Sequence, residues 1–333
     1  MFRKLVFLFA FVLLSCGIVV RSQSGDETIK VDTRLVSVPV IVSDRNGRYI
    51  PDLTQNYFTI FQDGVPQRIE FFAVTEEPLT IALLIDTSQS ARRVLGDIRD
   101  SARSLVKLLS PQDRAMIVSF DYDTHFLSPL TSDKEQLNNA IKKADIPDGR
   151  VGTTLRDAAY ETIARTFRPI KGRKAVIILT DGKDAGSRIG EDELLNSLEE
   201  SDTLVYTVMF KTDESNAFRP FPGRGRGGIF GGRFPQRPRG NPRRAERVER
   251  MNQNAEEFLR EMSEVTAGRF FSSKDGKLKA TFASIVEELR FQYRLGFYPP
   301  EENADAIFHE IKVKVSRAET VVRARNGYRL QSK

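Results

Sequence analysis

The chain has 333 residues, 40% apolar and 29% charged, enough for about two folded domains of ordinary soluble composition. One cysteine excludes an intramolecular disulfide framework, and with two histidines it leaves almost no room for a His/Cys zinc cage, so a bound metal would be held mainly by oxygen, as a hard cation is. The net charge of +6 resides in one segment: residues 213–250 carry ten arginines against four acids, which argues against a basic fold built for nucleic acid.

The first residues, Met1-Phe2-Arg3-Lys4, precede an apolar run from Leu5 to Val20 and a polar exit at Arg21-Ser22-Gln23-Ser24. This is the layout of a secretory signal peptide, assigned to residues 1–22; an uncleaved anchor is the lesser alternative. Leu13-Leu14-Ser15-Cys16 resembles a bacterial lipobox, which makes Cys16 a candidate lipidation site. Cleavage near Ser22 or Ser24 is the rival, because Gly17-Ile18-Val19-Val20 prolongs the apolar run. Each version exports the folded body, to the periplasm, to the outer membrane as a lipoprotein, or to the medium.

Residues 28–76 read as β structure, with strands at 33–43, 48–50, 57–62 and 67–74 and turns at Asn46-Gly47 and Asp63-Gly64. From residue 77 to 289 the pattern alternates. Continuously apolar or β-branched runs at 80–85, 114–120, 125–128, 174–180, 203–210 and 269–272 read as strands. Stretches at 91–109, 132–144, 153–167, 191–199, 252–265 and 277–289 read as helices. This predicts a Rossmann-like α/β domain: a mostly parallel sheet with helices on both faces. Residues 290–331 return to β, with strands at 291–298, 307–316 and 320–325. Neither terminal β block is large enough for its own core, so the two are expected to build one Ig-like domain with the α/β domain inserted between them. Pro, Gly and Arg dominate 213–250, which is expected to loop out as a disordered insert.

Three pieces of the α/β domain carry chemistry. The strand at 80–85 ends in Asp86-Thr87-Ser88-Gln89-Ser90, Gly152-Thr153-Thr154 precedes a helix, and the strand at 174–180 ends in Asp181-Gly182. Open α/β sheets place their ligand crevice at such strand ends. Hydroxyls of Ser88, Ser90 and Thr153 can bind a hard divalent cation as neutral oxygens, while Asp86 and Asp181 hold its waters. Little negative charge then touches the ion, which is left to seek an anionic oxygen such as an Asp or Glu of a partner protein. The bland alternative is that Ser88 and Ser90 cap the helix at 91 and that Asp181-Gly182 is a plain turn.

Asp86-x-Ser88-x-Ser90, Gly152-Thr153 and Thr180-Asp181-Gly182 resemble the metal ion-dependent adhesion site of von Willebrand factor type A (VWFA) domains. The flanks, Val38 to Asp44, Phe58 to Gly64, Tyr293 to Pro299 and Gly327-Tyr328, resemble a bacterial VWFA-related family common in acidobacteria. The resemblance implies the fold and a site for Mg²⁺ (or Mn²⁺ or Ca²⁺) at Asp86, Ser88, Ser90, Thr153 and Asp181, and does not supply a partner. Val151 stands where such domains often have a first glycine, which leaves Thr154 as a rival to the favoured Thr153.

Other signals are set aside. Gly223 to Gly228 matches a dinucleotide fingerprint in spacing only, since it follows no strand and opens no helix. The Arg- and Phe-containing insert is expected to be a solvated loop, with anionic surface polymers or lipids as its next reading and no nucleic acid. His125 and His309 read as structural, and Asp121 and Asp123 as a turn that could line the crevice. Nothing assembles a base, a nucleophile and an oxyanion hole, so the expected function is non-enzymatic adhesion or binding. The alternative is a structural envelope protein that uses its β domain or basic loop and keeps a vestigial metal site.

Overall fold

A computed structural model describes residues 35–74, 77–149, 152–210, 242–273, 277–300 and 308–329. The expected signal, Cys16, Val151 and most of the basic insert lie outside the described residues.

The chain enters through β1 (Val36–Asp44), then β2 (Phe58–Gln62), β3 (Val65–Gln67) and β4 (Phe71–Val74). Asp63 and Gly64, at φ of 50° and 80°, make the tight turn between β2 and β3. The expected strand at 48–50 is only an isolated bridge from Tyr49 to Ser43. The α/β part follows as β5 (Leu79–Asp86), helix α1 (Leu95–Leu108), β6 (Arg114–Phe120), β7 (Thr124–Phe126) and α2 (Lys134–Lys143). It continues with α3 (Leu155–Tyr160), β8 (Arg173–Thr180), α4 (Glu191–Glu200), β9 (Leu204–Phe210), α5 (Pro242–Glu264), β10 (Phe270–Ser273) and α6 (Leu278–Arg290). The chain then closes with β11 (Gln292–Phe297), β12 (Phe308–Val315), β13 (Thr320–Ala324) and β14 (Gly327–Arg329).

The central sheet runs β10-β9-β8-β5-β6-β7, parallel except for the short edge strand β7. Every residue of β5, β8 and β9 is buried, which is why these segments read as unbroken apolar runs. Alternate side chains feed two cores: Ile81, Leu83 and Ile85 meet α1 and α6 on one face, while Ala82 and Leu84 meet α3 and α5 on the other.

Two further sheets are antiparallel, ordered β13-β1-β11-β4 and β14-β12-β2-β3. Each draws strands from both ends of the chain. Val38, Val40, Tyr293 and Leu295 of the first share a core with Phe58, Ile60, Ile311 and Tyr328 of the second. The terminal blocks therefore complete one β-sandwich around the inserted α/β domain.

Three differences from the sequence reading have local causes. The expected helix at 91–109 starts as a 3-10 turn, Gln89–Arg93, before α1. The expected helix at 153–167 is α only to Tyr160 and then a π-helical stretch, Glu161–Phe167. Thr166 Oγ donates to the Glu161 carbonyl at 3.1 Å, the five-residue step of that winding. Finally, α5 begins at Pro242, ten residues before the expected 252, so the end of the supposed disordered segment 213–250 is helical.

The sandwich attaches where the chain crosses between domains, at the start of β5 and the end of α6. Arg173, buried and pushed down to about 10 by that burial, donates to the carbonyls of Glu77 (2.7 Å) and Leu289, one on each crossing. Glu288 of α6, 1% exposed, accepts from Tyr206 of β9 (2.7 Å), Tyr49 of the sandwich (3.1 Å) and Arg323 of β13. Burial, then the Glu288 charge, pushes Tyr49 up to about 12, so the phenol stays a donor. A buried carboxylate with this many donors is costly to remove, because its partners stay buried without it. Glu288→Ala is expected to lower the unfolding free energy by about 3 kcal/mol in a urea titration; a change below about 0.5 kcal/mol would make the junction incidental.

Candidate metal centre

The site lies at the carboxyl ends of β5 and β8, while the sandwich attaches at their amino ends. Eight residues of β5 separate them, about 23 Å at the usual strand rise.

Asp86 ends β5 and has no accessible surface. Its Oδ1 accepts from the Ser88 backbone N–H at 2.9 Å, which folds the chain sharply after the strand. Its Oδ2 accepts from Thr180 Oγ at 2.7 Å, and Thr180 Oγ accepts in turn from the Gly182 N–H at 3.0 Å. These bonds lock the ends of the two strands together. Burial first, and the charge of Asp181 second, push the Asp86 carboxyl up to about 6, against the pull of hydrogen bonds from Ser88 and Thr180. Asp181 is 2% exposed, with Lys183 Nζ at 3.4 Å from its Oδ2.

Ser88 and Ser90 do not cap the helix. Ser88 is the N-cap of the 3-10 turn, yet its side chain makes no capping bond. Instead the two hydroxyls meet each other at 2.9 Å. Capping, the alternative drawn from the sequence, is therefore not what these residues do.

Thr153 and Thr154 are both buried, at 7% and 5% exposure, but they differ. Thr154 is committed: its N–H and hydroxyl both donate to the Asp121 carbonyl, at 2.8 and 3.1 Å. Thr153 accepts from the Ala185 N–H through its carbonyl at 3.0 Å, which ties its loop to the one after Asp181. Its hydroxyl has no hydrogen-bond partner among the described residues.

Asp121 does more than the turn expected of it. Its Oδ1 accepts from the Asp123 N–H at 3.3 Å, and its Oδ2 meets Thr87 Oγ and His125 Nε2, each at 3.2 Å. Thr87 N–H also donates to the Phe120 carbonyl at 2.8 Å. Asp121 thus fastens the Asp86–Ser90 loop to β6, and through its carbonyl it holds Thr154. His309, far away in the sandwich, pairs with Asp63 at 2.8 Å, a structural contact as expected.

Thr180 and Asp121 are the supporting residues: sequence reasoning gave the first no role and the second only that of a turn that could line the crevice. Thr180 stood inside the quoted Thr-Asp-Gly motif; Asp121 offered no spacing signal. Gly182 is needed for two reasons: its φ is 79°, and a Cβ there would meet Ala255 and Leu259 of α5 at 3.0 Å.

The donor set suits a hard divalent cation. Two buried carboxylates supply charge, and hydroxyls not spent on capping supply neutral oxygens. Among the described residues no group of three or more His, Cys, Asp and Glu gathers as a metal cage, so any ion here would depend on those hydroxyls.

Residues 80–224 match the family model for the von Willebrand factor type A domain. No curated protein matches the chain. Among solved structures, the conserved hypothetical protein BatB from Bacteroides thetaiotaomicron is similar at 19% identity and TM-score 0.43, over 64% of this chain and 97% of that one. The vWF domain of the type V pili tip protein Mfa5 from Porphyromonas gingivalis is similar at 14% identity and TM-score 0.43, over 65% and 95%. Proximal thread matrix protein 1 from the mussel byssus, in a form with a zinc-occupied MIDAS motif, is similar at 16% identity and TM-score 0.47, over 69% of this chain and half of that one. The match at residues 80–224 and the mostly parallel sheet flanked by helices agree on a von Willebrand factor type A fold for the α/β part of the chain.

Proposed function

We propose that this protein is an exported, non-enzymatic binding module that grips a carboxylate of a protein partner through a divalent cation, Mg²⁺ with Mn²⁺ or Ca²⁺ as substitutes. Ser88, Ser90 and Thr153 offer the cation hydroxyl oxygens, and Asp86 and Asp181 offer the balancing charge. The observation that carries this reading is the fully buried Asp86 beside the nearly buried Asp181, two like charges with one lysine, Lys183, paired to the second of them. Asp86 has one oxygen on the Ser88 N–H and the other on Thr180 Oγ, which favours its holding metal-bound water over binding the ion directly. A cation so held is electrophilic and completes its shell with an anionic oxygen from outside.

The signal-like residues 1–22 support export, and Cys16 is the lipidation candidate if the anchor is a lipid. No helix among the described residues is long and apolar enough to cross a membrane.

Mg²⁺ added to the chelated protein is expected to raise its melting temperature and EDTA to reverse the rise, because a ligand bound only to the folded state stabilises it by mass action; a melting curve indifferent to both would sink the reading. Titration calorimetry separates the residues. Asp86→Ala and Thr153→Ala are expected to weaken Mg²⁺ uptake by at least about tenfold, whereas Thr154→Ala loses stability and keeps affinity. An affinity lost with Thr154→Ala and kept with Thr153→Ala would exchange their roles.

A further inference from the structure

Helix α5 runs past the end of the domain. Thr266, just beyond its last turn, accepts from the Val205 N–H at 2.9 Å, Leu259 accepts from Thr207 Oγ at 2.8 Å, and Ala255 and Leu259 flank Gly182. Read in that order, the helix climbs antiparallel to β9 and reaches the level of the metal site at Ala255. The thirteen residues from Pro242 to Asn254 therefore continue beyond the carboxyl edge of the sheet, roughly 20 Å at the helical rise. From Glu246 to Asn254 no side chain is buried.

The overhang carries only Ala245, Val248 and Met251 as a thin apolar line, and no acid stands in its first turn to favour its amino end. Its sequence carries four arginines (243, 244, 247 and 250) against two glutamates (246 and 249). Arg247 and Arg250 are exposed, and Met251 beside them is 51% exposed. Around the crevice, Arg92 and Arg93 are exposed in the turn after Ser90, and Tyr122, 46% exposed, stands against Gly152. Asp123 and Asp148 are exposed acids on the same edge. Arginines with an aromatic and a methionine are the composition of a protein-binding surface.

We propose that the free turns of α5, through Arg247, Arg250 and Met251, form a second contact for an acidic protein segment whose leading carboxylate engages the metal site. The inference rests on the metal reading above. Two contacts on one segment raise affinity by effective concentration, with no new group at the ion. Charge complementarity selects the partner: the site calls for a carboxylate, and the overhang, whose sequence holds two more arginines than glutamates, exposes Arg247 and Arg250 for the next turns of an acidic chain.

The test uses the full chain and a fluorescein-labelled decaglutamate peptide, read by anisotropy with Mg²⁺ and again with EDTA. Arg247→Glu with Arg250→Glu is expected to weaken the peptide by about tenfold, leaving Mg²⁺ uptake and helix content unchanged. Arg247→Lys with Arg250→Lys is expected to bind the peptide as the wild type does. Peptide binding that survives the charge reversal and is lost in Asp86→Ala overturns the second contact and keeps the metal reading. Binding lost on charge reversal but indifferent to EDTA and to Asp86→Ala overturns the metal reading and leaves the helix as an acidic-peptide contact on its own. If the charge reversal instead releases the protein only from phosphatidylserine vesicles, the occupant is a lipid surface and the proposal is wrong.

Discussion

Two carboxylates buried side by side at the edge of a sheet set the terms for this molecule. Asp86 has no accessible surface, and its neighbour Asp181 has almost none. Burial, and then the charge of Asp181, push the Asp86 carboxyl up to about 6. The chain has invested in holding them there: Thr180 bridges the strands, Asp121 pins the loop through Thr87, and Gly182 admits α5 at close range. Such an arrangement costs free energy; Lys183 pairs with Asp181, and the cation proposed above would supply the counter-charge that Asp86 lacks.

The architecture isolates this end. The sandwich, assembled from both chain ends, grips the opposite edge of the sheet through Glu288, Arg173 and Arg325. The last is buried and donates to carbonyls of Gly327 (2.6 Å), Ser37 (3.5 Å) and Glu199. Burial lowers Arg325 to about 10, and paying that cost with backbone acceptors on both domains makes the junction rigid. A fixed base and an open rim suit a domain that presents its strand ends outward. The crossing points of the chain at Glu77 and Leu289 lie on the gripped side, away from the rim.

How much of this the sequence disclosed depends on the signal. Strands such as β5 and β8, apolar on both faces, were plain, and so were the oxygen-bearing residues at their ends, because their spacing places them at strand termini. The pairing of the terminal blocks followed from size, as neither could bury a core alone, and eight strands in two sheets now share one. Glu288 was not visible: in Glu287-Glu288-Leu289-Arg290 it looks like an ordinary solvated helix position, and only the packing of the sandwich buries it. The early start of α5 was hidden for the opposite reason. Its first turns carry only the thin apolar line Ala245, Val248 and Met251, and an Arg/Glu stretch next to a Pro/Gly/Arg segment reads as more of the same. Sequence favoured Thr153 over Thr154 only weakly; the bonds from Thr154 to the Asp121 carbonyl add a difference between them that no spacing shows.

An anomalous difference map from crystals grown with Mn²⁺ addresses the central claim directly. The account predicts one strong peak at bonding distance from the hydroxyls of Ser88, Ser90 and Thr153, with Asp86 and Asp181 reaching it through water. A map with no peak there, or with the ion on Asp121 and Asp123 instead, would contradict it.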